Sequence, residues 1–289
     1  MKKSIAVRIF MIGSMVLVAA AALFVVLFIG INGIGKITAS FLFTAPKGFG
    51  VNGGGIFPAI IATLYLGGIA GLTGLIGALP VSFSLCFFVK NTRLCTLIRF
   101  LLHTLAAVPS IILGLFGYTF FVKYMHFGKS LIAGGLTLGI MIFPFLEQRI
   151  EKAVAEIDEM LILSAYSTGL SKRYTIIHIV LPLIKGDIIR AAALYTGFAM
   201  GATAPIILTA AVLIAPVPVR LTDPVMALPY HLYLLVSEGI DTEAAYATAF
   251  VLLALVLCIN AAAAYFNARS PVGRSALRFH QKPCRTASV

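Results

Sequence analysis

Charged residues along the chain are clumped, and the gaps between the clumps are long. Uncharged runs cover 9–35, 48–89, 100–122, 130–146, 191–219 and 244–268. A bilayer-spanning helix needs about 20 mostly apolar residues, within a range of about 17 to 25. Each run is long enough for one span. The run 48–89 opens with GFGVNGGGIFP, too glycine-rich and polar for lipid-exposed helix, so it predicts one span over 57–89. The pattern therefore predicts six transmembrane helices. A further run, 224–237, holds two prolines and is too short to cross. It reads as an interfacial or re-entrant piece.

Between the fourth and fifth spans lies a long polar-and-mixed segment, 147–188. EQRIEKAVAEIDEMLILSAYSTGL reads as helix, SKRY as a basic turn, and TIIHIVLPLI as an apolar stretch broken by Pro182. Two helices joined by a bend at Gly169 form a knob outside the bilayer. A knob exposing Leu161, Ile162 and Tyr166 wants a partner groove. An ordinary connector with surface helices fits the same pattern.

Composition agrees with the span pattern. The chain is 60% hydrophobic and 11% charged, whereas soluble domains carry about 25% charged residues. Formal net charge is +12, and its distribution is an orientation signal. With both termini inside, the inner segments hold 17 of the 22 Lys and Arg residues; Lys36, Lys47, Lys123, Lys129 and Arg220 are outside. Cytoplasmic loops are the Lys/Arg-rich ones. No basic stripe interleaves with aromatics on a soluble domain, which excludes nucleic acid. The first apolar stretch is longer than a signal-peptide core, so it reads as an uncleaved helix.

Chemistry-bearing patterns are sparse. Gly48, Gly50 and Gly53 have dinucleotide-motif spacing, and Gly30, Gly35 and Lys36 have phosphate-loop spacing. The first lies in an exterior loop, and Ile37 stands where the second needs Ser or Thr. Cys86, Cys95, Cys258 and Cys284 show no metal-ligand spacing, and a disulfide framework is not expected. The five histidines are scattered, no span core holds Asp, and there is no HExxH. That argues against an intramembrane enzyme. We expect no catalytic residues, metal or cofactor. The pairs Gly67/Gly71, Gly135/Gly139 and Gly197/Gly201 have the small-xxx-small spacing that lets helices approach closely. Pro80, Pro109, Pro144 and Pro205 fall within the predicted spans, where proline permits a kink.

The inner segment carries a resemblance. Gly169 is followed, after nine residues, by Ile179, Leu181 and Pro182, and Ala165 lies four residues before it. This resembles the E-A-A-x-x-x-G, nine residues, I-x-L-P loop of binding-protein-dependent ABC importer permeases. Leu163 and Ser164 stand where that family has Glu and Ala. Five further segments, from 41 to 233 and in family order, resemble the PstA-type phosphate importer permeases: FLFTAPKGFGVNGGGIFPAIIATL, AAVPSIILGLFG, FGKSLIAGGLTL, GATAPIILTA and DPVMALPYHLY.

The resemblance implies an all-α, MetI-like, type I ABC importer permease without its own ATPase, in the inner (plasma) membrane. Its layout would be a first helix and outer loop over 1–56, a permease core over 57–268, and a basic cytoplasmic tail over 269–289. Leu163, Ser164, Ala165, Gly169, Leu181 and Pro182 would form the ATPase-coupling loop. The implied partners are ABC ATPase subunits (PstB-like), a second permease (PstC-like), an extracytoplasmic phosphate-binding protein (PstS-like) and membrane lipid.

One departure bears on cargo. The family's R-x-x-G-E-T-A-P reads FAMGATAP here, with Phe198 for Arg and Ala202 for Glu. No predicted span holds a charged residue except at its ends. An anion path would use hydroxyls, backbone N–H groups, helix N-termini or a partner's charges, and Ser110, Thr203 and Pro205 are expected beside it. For Ser110 and Thr203 a hydroxyl bonding its own helix backbone is the alternative. Another small anion such as molybdate or phosphonate, or a diverged non-transporting paralogue, remains an alternative to phosphate.

Overall fold

The computed structural model describes residues 2–46 and 54–269. The GFGVNG stretch and the tail beyond Arg269 lie outside these residues. Twelve α-helices follow in order. They are α1 (Lys2–Gly33), α2 (Ala39–Phe43), α3 (Phe57–Phe83), α4 (Thr92–Ala106), α5 (Ser110–Gly117), α6 (Leu131–Ala155), α7 (Glu159–Ser167), α8 (Lys172–Thr175), α9 (Leu181–Gly201), α10 (Ala204–Thr209), α11 (Leu228–Ser237) and α12 (Thr242–Arg269). Wide π-wound turns extend α3 over Ser84–Phe88 and α5 over Tyr118–Tyr124, and join α8 to α9 over Ile176–Val180. The one β-feature among the described residues is an isolated bridge between Ala211 and Val225.

Among the described residues four helices are long and apolar enough to cross a membrane, Val7–Lys36, Phe57–Phe88, Leu131–Ala155 and Thr242–Phe266, and a bent pair over Thr92–Tyr124 makes a fifth if it counts as one span. The third expected span, 100–122, is built differently. Residues 100–106 belong to α4, an amphipathic helix capped by the Asn91 side chain, which accepts from the Arg93 and Leu94 N–H groups. α4 meets α5 and its π extension at a 96° bend, and Pro109 sits in that bend rather than inside a helix. His103 therefore lies on the amphipathic α4.

The fifth expected span, 191–219, is not one helix. α9 starts ten residues earlier at Leu181 and stops at Gly201, with Ala202 in extended backbone. The chain resumes as the six-residue α10, with Pro205 in its first turn. Proline is tolerated there because that N–H would be unpaired anyway. Of the four intraspan prolines, only Pro80 and Pro144 lie inside helices.

The centre of the bundle is α3 against α6, with α9 beside them. Lipid tails are as apolar as Leu, so membrane helices associate through close packing rather than water exclusion. The glycines provide that closeness. A Cβ on Gly67 would lie 2.5 Å from the Met200 side chain, and one on Gly71 would lie 2.5 Å from Thr196 Oγ1. On α6, Gly135 faces Ile69 and Gly139 faces Thr73, and Gly197 faces Val256 of α12. Gly201 faces open space, so the third small-residue pair packs through one member only. Leu138, Ile142 and Leu146 of α6 are wholly buried in this core. α1 lies at the periphery, packed on α12 and otherwise exposed along its apolar length.

The two ends of the bundle differ. At one end Lys36 pairs with Asp241 at 3.0 Å, joining the end of α1 to the start of α12. α11 lies there too, with the Leu228 N–H donating to Thr63 Oγ1 at 2.8 Å. At the other end α6 is a hub. Glu151 accepts from Arg99 Nε of α4 at 2.9 Å. Arg149 reaches Asp187 of α9 at 3.3 Å, and Ser82 Oγ of α3 donates to the Glu147 carbonyl at 3.1 Å.

Candidate functional site

The hub end carries α7 and α8 beyond the bundle. α6 ends at Ala155 and α7 begins at Glu159, so the expected single helix over 147–170 is two helices. Asp158 separates them, its carboxylate accepting from the Met160 N–H at 2.9 Å. Such a side-chain cap satisfies one of the four unpaired N–H groups of a new helix.

The end of α7 explains two residues of the motif at once. The Leu170 N–H donates to the Ala165 carbonyl at 3.2 Å, and the Gly169 N–H to the Tyr166 carbonyl at 3.0 Å. These two bonds make a Schellman cap, which requires a left-handed residue after the helix. Gly169 takes that conformation, with φ +84°. Ala165 supplies the accepting carbonyl and is itself buried. Ser171 then caps α8, accepting from the Tyr174 N–H at 3.3 Å.

The outward surface of this hairpin is apolar. Met160, Leu161, Leu163, Tyr174 and Ile177 are all exposed. Of the three expected contact residues only Leu161 is exposed; Ile162 and Tyr166 turn to the Ala165 face and are half-buried. Ser164 is exposed, its hydroxyl returned to the Met160 carbonyl at 2.7 Å. Leu181 and Pro182 stand apart from this surface. They are half-buried at the root of α9, and Leu181 packs against the main core.

Pro182 does not break the chain's helix, contrary to expectation. Residues 172–201 run on without interruption, wound as a π-helix over Ile176–Val180 immediately before the proline. A π-bulge changes which carbonyl each N–H meets, and it is a recognised place for a helix to absorb a missing donor. The hairpin is thereby joined to α9 by continuous helix. A second tie runs sideways: Lys172 Nζ donates to the Phe87 carbonyl at the end of α3, at 3.1 Å.

The second expected site is only partly assembled. α5 and α10 pack together, and a Cβ on Gly114 would lie 2.8 Å from Pro205 Cα. Ser110 opens α5, and Thr203 stands just before α10 without capping it. Ser110 occupies the first helical position, so no carbonyl of its own helix lies behind it to accept its hydroxyl. Both are half-buried, whereas Pro205 is buried. Elsewhere the hydroxyls do bond back: Thr137 to the Ala133 carbonyl at 2.7 Å and Thr209 to the Pro205 carbonyl at 2.8 Å. Phe198 is exposed on α9, edge-to-face with Phe145 at 6.0 Å between centroids.

Two polar residues escape sequence reasoning. Glu147 reads as the charged end of the fourth span, yet it is 1% exposed, and its Oε1 has no hydrogen-bond partner. Lys129 reads as one outer-loop cation among five, but its ammonium reaches the end of α10. Neither is visible without the tertiary contacts.

The comparisons with known proteins bear on the whole chain. Residues 70–270 match the family described as "Binding-protein-dependent transport system inner membrane component". The phosphate transport system permease protein PstA 2 of Mycobacterium bovis is 30% identical over 212 residues, covering 72% of this chain and 70% of that protein. The probable phosphate transport system permease protein PstA of Methanocaldococcus jannaschii is 30% identical over 213 residues, 71% of this chain and 73% of that protein. In fold, the chain superposes on a subunit of a bacterial ABC transporter that imports the acidic polysaccharide alginate. The TM-score is 0.68 at 18% identity, over 91% of this chain and 97% of that one. The matched region takes in the bundle core, the α7–α8 hairpin and α12, and on this evidence the chain belongs to the family of binding-protein-dependent transport system inner membrane components.

Proposed function

We propose that this chain is the phosphate-translocating permease subunit of an ABC importer, driven by an ATPase that seats on the α7–α8 hairpin. The observation that carries the reading is the hairpin itself. It offers an apolar, unpartnered surface, its direction is fixed by a capped glycine turn, and continuous helix connects it to α9. A push on Leu163 or Tyr174 would pass along α8 and the π turn into α9, and through Lys172 into α3. Those two helices flank α6, so displacement of the hairpin would move the bundle core. Rocking of packed helices about a fixed site is a known form of such switching.

Phosphate is the cargo best supported, because the PstA relatives are similar over most of the chain. The Lys/Arg bias supports an orientation with the hairpin end and both termini in the cytoplasm. The opposite end, with residues 32–56 and 215–243, would receive a binding protein. One such bundle would be half of a pathway, which calls for a second permease beside it. With Phe198 and Ala202 in place of the family's charges, this chain would offer the anion Ser110, Thr203 and the N-terminal end of α5, and the partner permease would supply the rest.

Uptake of labelled phosphate by phosphate-starved cells, with the gene intact or deleted, tests the cargo. Loss of uptake on deletion, with competition by phosphate but not by sulfate, molybdate or phosphonate, is the expected result. Undiminished uptake would overturn the phosphate assignment.

A further inference from the structure

Lys129 lies where three segments meet at the α11 end of the bundle. The Ser130 N–H donates to the Thr209 carbonyl, the Leu131 N–H to the Asp223 carbonyl and the Ile132 N–H to the Leu221 carbonyl. The loop before α6, the end of α10 and the 219–223 turn are thus sewn together through main chain. Lys129 Nζ donates to the Ile207 and Ala211 carbonyls, each at 3.3 Å. Both oxygens are neutral, and 3.3 Å is long for an ammonium, whose bonds to charged oxygens run about 2.7–2.9 Å.

No carboxylate pairs with Lys129 among the described residues. The nearby Asp223 is occupied, its Oδ2 accepting from the Val219 and Arg220 N–H groups at 2.9 and 2.8 Å. Lys129 is exposed, so the ammonium faces solvent while resting on two weak acceptors. Across the six residues of α10, about 9 Å of helix, lie Thr203 and Pro205.

Building on the reading of this chain as an oxyanion importer, we infer that Lys129 is the residue that receives the incoming anion. A tetrahedral oxyanion arriving at this end offers the ammonium a charged acceptor. Charge-assisted hydrogen bonds are about twice as strong as neutral ones, so the ammonium would exchange its two carbonyls for the anion. The exchange costs α10 only two long bonds, since those from the Ser130 N–H to the Thr209 carbonyl and from the Val225 N–H to the Ala210 carbonyl still hold its end. The electrostatic attraction also explains how a chain whose predicted spans carry charge only at their ends draws an anion to its pathway.

The test uses the complete importer with its partner subunits in proteoliposomes. Amine acylation of Lys129, followed by peptide mass spectrometry, is compared in inorganic phosphate, in sulfate and in chloride at matched ionic strength, with Lys123 as internal control. We expect phosphate to slow acylation of Lys129 several-fold and to leave Lys123 unaffected. Equal rates in all three salts would overturn the inference. In parallel, Lys129→Met is expected to lower the initial rate of labelled phosphate uptake by about tenfold, and Lys129→Arg to keep more than half of it. Equal loss in both variants, or no loss in Lys129→Met, would reduce the lysine to a helix cap. If a different oxyanion protects Lys129 and wild type takes up no phosphate, the cargo assignment falls while the role of Lys129 stands.

Discussion

Gly169 sits at φ +84°, and a Cβ there would meet nothing within 4 Å. The cost of Gly169→Ala is therefore backbone strain alone, about 1–2 kcal/mol for a left-handed L-residue. The expected outcome is a chain that still inserts and assembles but transports several-fold more slowly, because α8 leaves α7 at a shifted angle. Unchanged uptake would mean that the turn plays no part in coupling. Glu147 makes the opposite kind of prediction. A buried polar atom without a partner costs about 1–3 kcal/mol, so Glu147→Met, similar in volume, is expected to raise the thermal midpoint of the detergent-purified protein. A fall would reveal a working carboxyl. His231 of α11 lies among Ile56, Pro58, Ala215 and Met226, and burial pushes its pKa down from 6.5 to about 4. The folded imidazole stays neutral where the unfolded one protonates, so stability is lost as pH falls from 6.5 towards 4. His231→Gln should flatten the slope of thermal midpoint against pH in that window, and an unaltered slope would place the acid sensitivity elsewhere.

At the level of elements, the sequence was most legible where one property dominated. Unbroken apolarity located α1, α3, α6 and α12, because a lipid-facing helix has no other means of satisfying its backbone. The α7 turn was legible because glycine suits a left-handed cap, but SKRY, expected as a turn, proves to be Ser171 capping the start of α8. Pro182 misled for a physical reason. A proline reads as a helix stop because it lacks an N–H, but here it follows directly on the π turn over Ile176–Val180, at the start of α9, and no local propensity encodes that winding. The break at Ala202 was equally hidden, since the apolar run continues through it to Val219. The continuity of 172–201 yields a prediction. Pro182→Ala restores a donor to a helix that already exists, so insertion and thermal midpoint should change little. A large gain in stability would show that the proline was interrupting the helix after all. Packing between elements was half legible. Gly135 and Gly139 announced a close contact but not its partner, which is the Ile69–Thr73 stretch of α3.

For the molecule as a whole, chain direction and charge bias converge on one topology. α1 runs from the hairpin end to the Lys36–Asp241 pair, α12 runs back from it, and the Lys172–Phe87 tie places the end of α3 beside the hairpin. Both chain ends of the described bundle therefore lie on the hairpin side. If the Lys/Arg bias sets the orientation, Glu159 and Thr168 face the cytoplasm, whereas Glu238 and Val219 face outward. In a background with the native cysteines replaced, Glu238→Cys and Val219→Cys should react with a membrane-impermeant thiol reagent in intact cells. Glu159→Cys and Thr168→Cys should react only after permeabilisation. The reverse pattern would put the hairpin on the face where no ATP is available and remove the ATPase from the mechanism. Labelling of all four in intact cells would mean that the chain does not separate its two ends by a bilayer. The expected pattern has a further consequence for the anion. Lys129 and Arg220 would stand on the face where the binding protein delivers its cargo, and the hairpin on the face where ATP is spent. Substrate arrival and ATP-driven force would then enter the same bundle from opposite sides, through α10 at one end and α9 at the other, separated by the backbone break at Ala202 and Thr203.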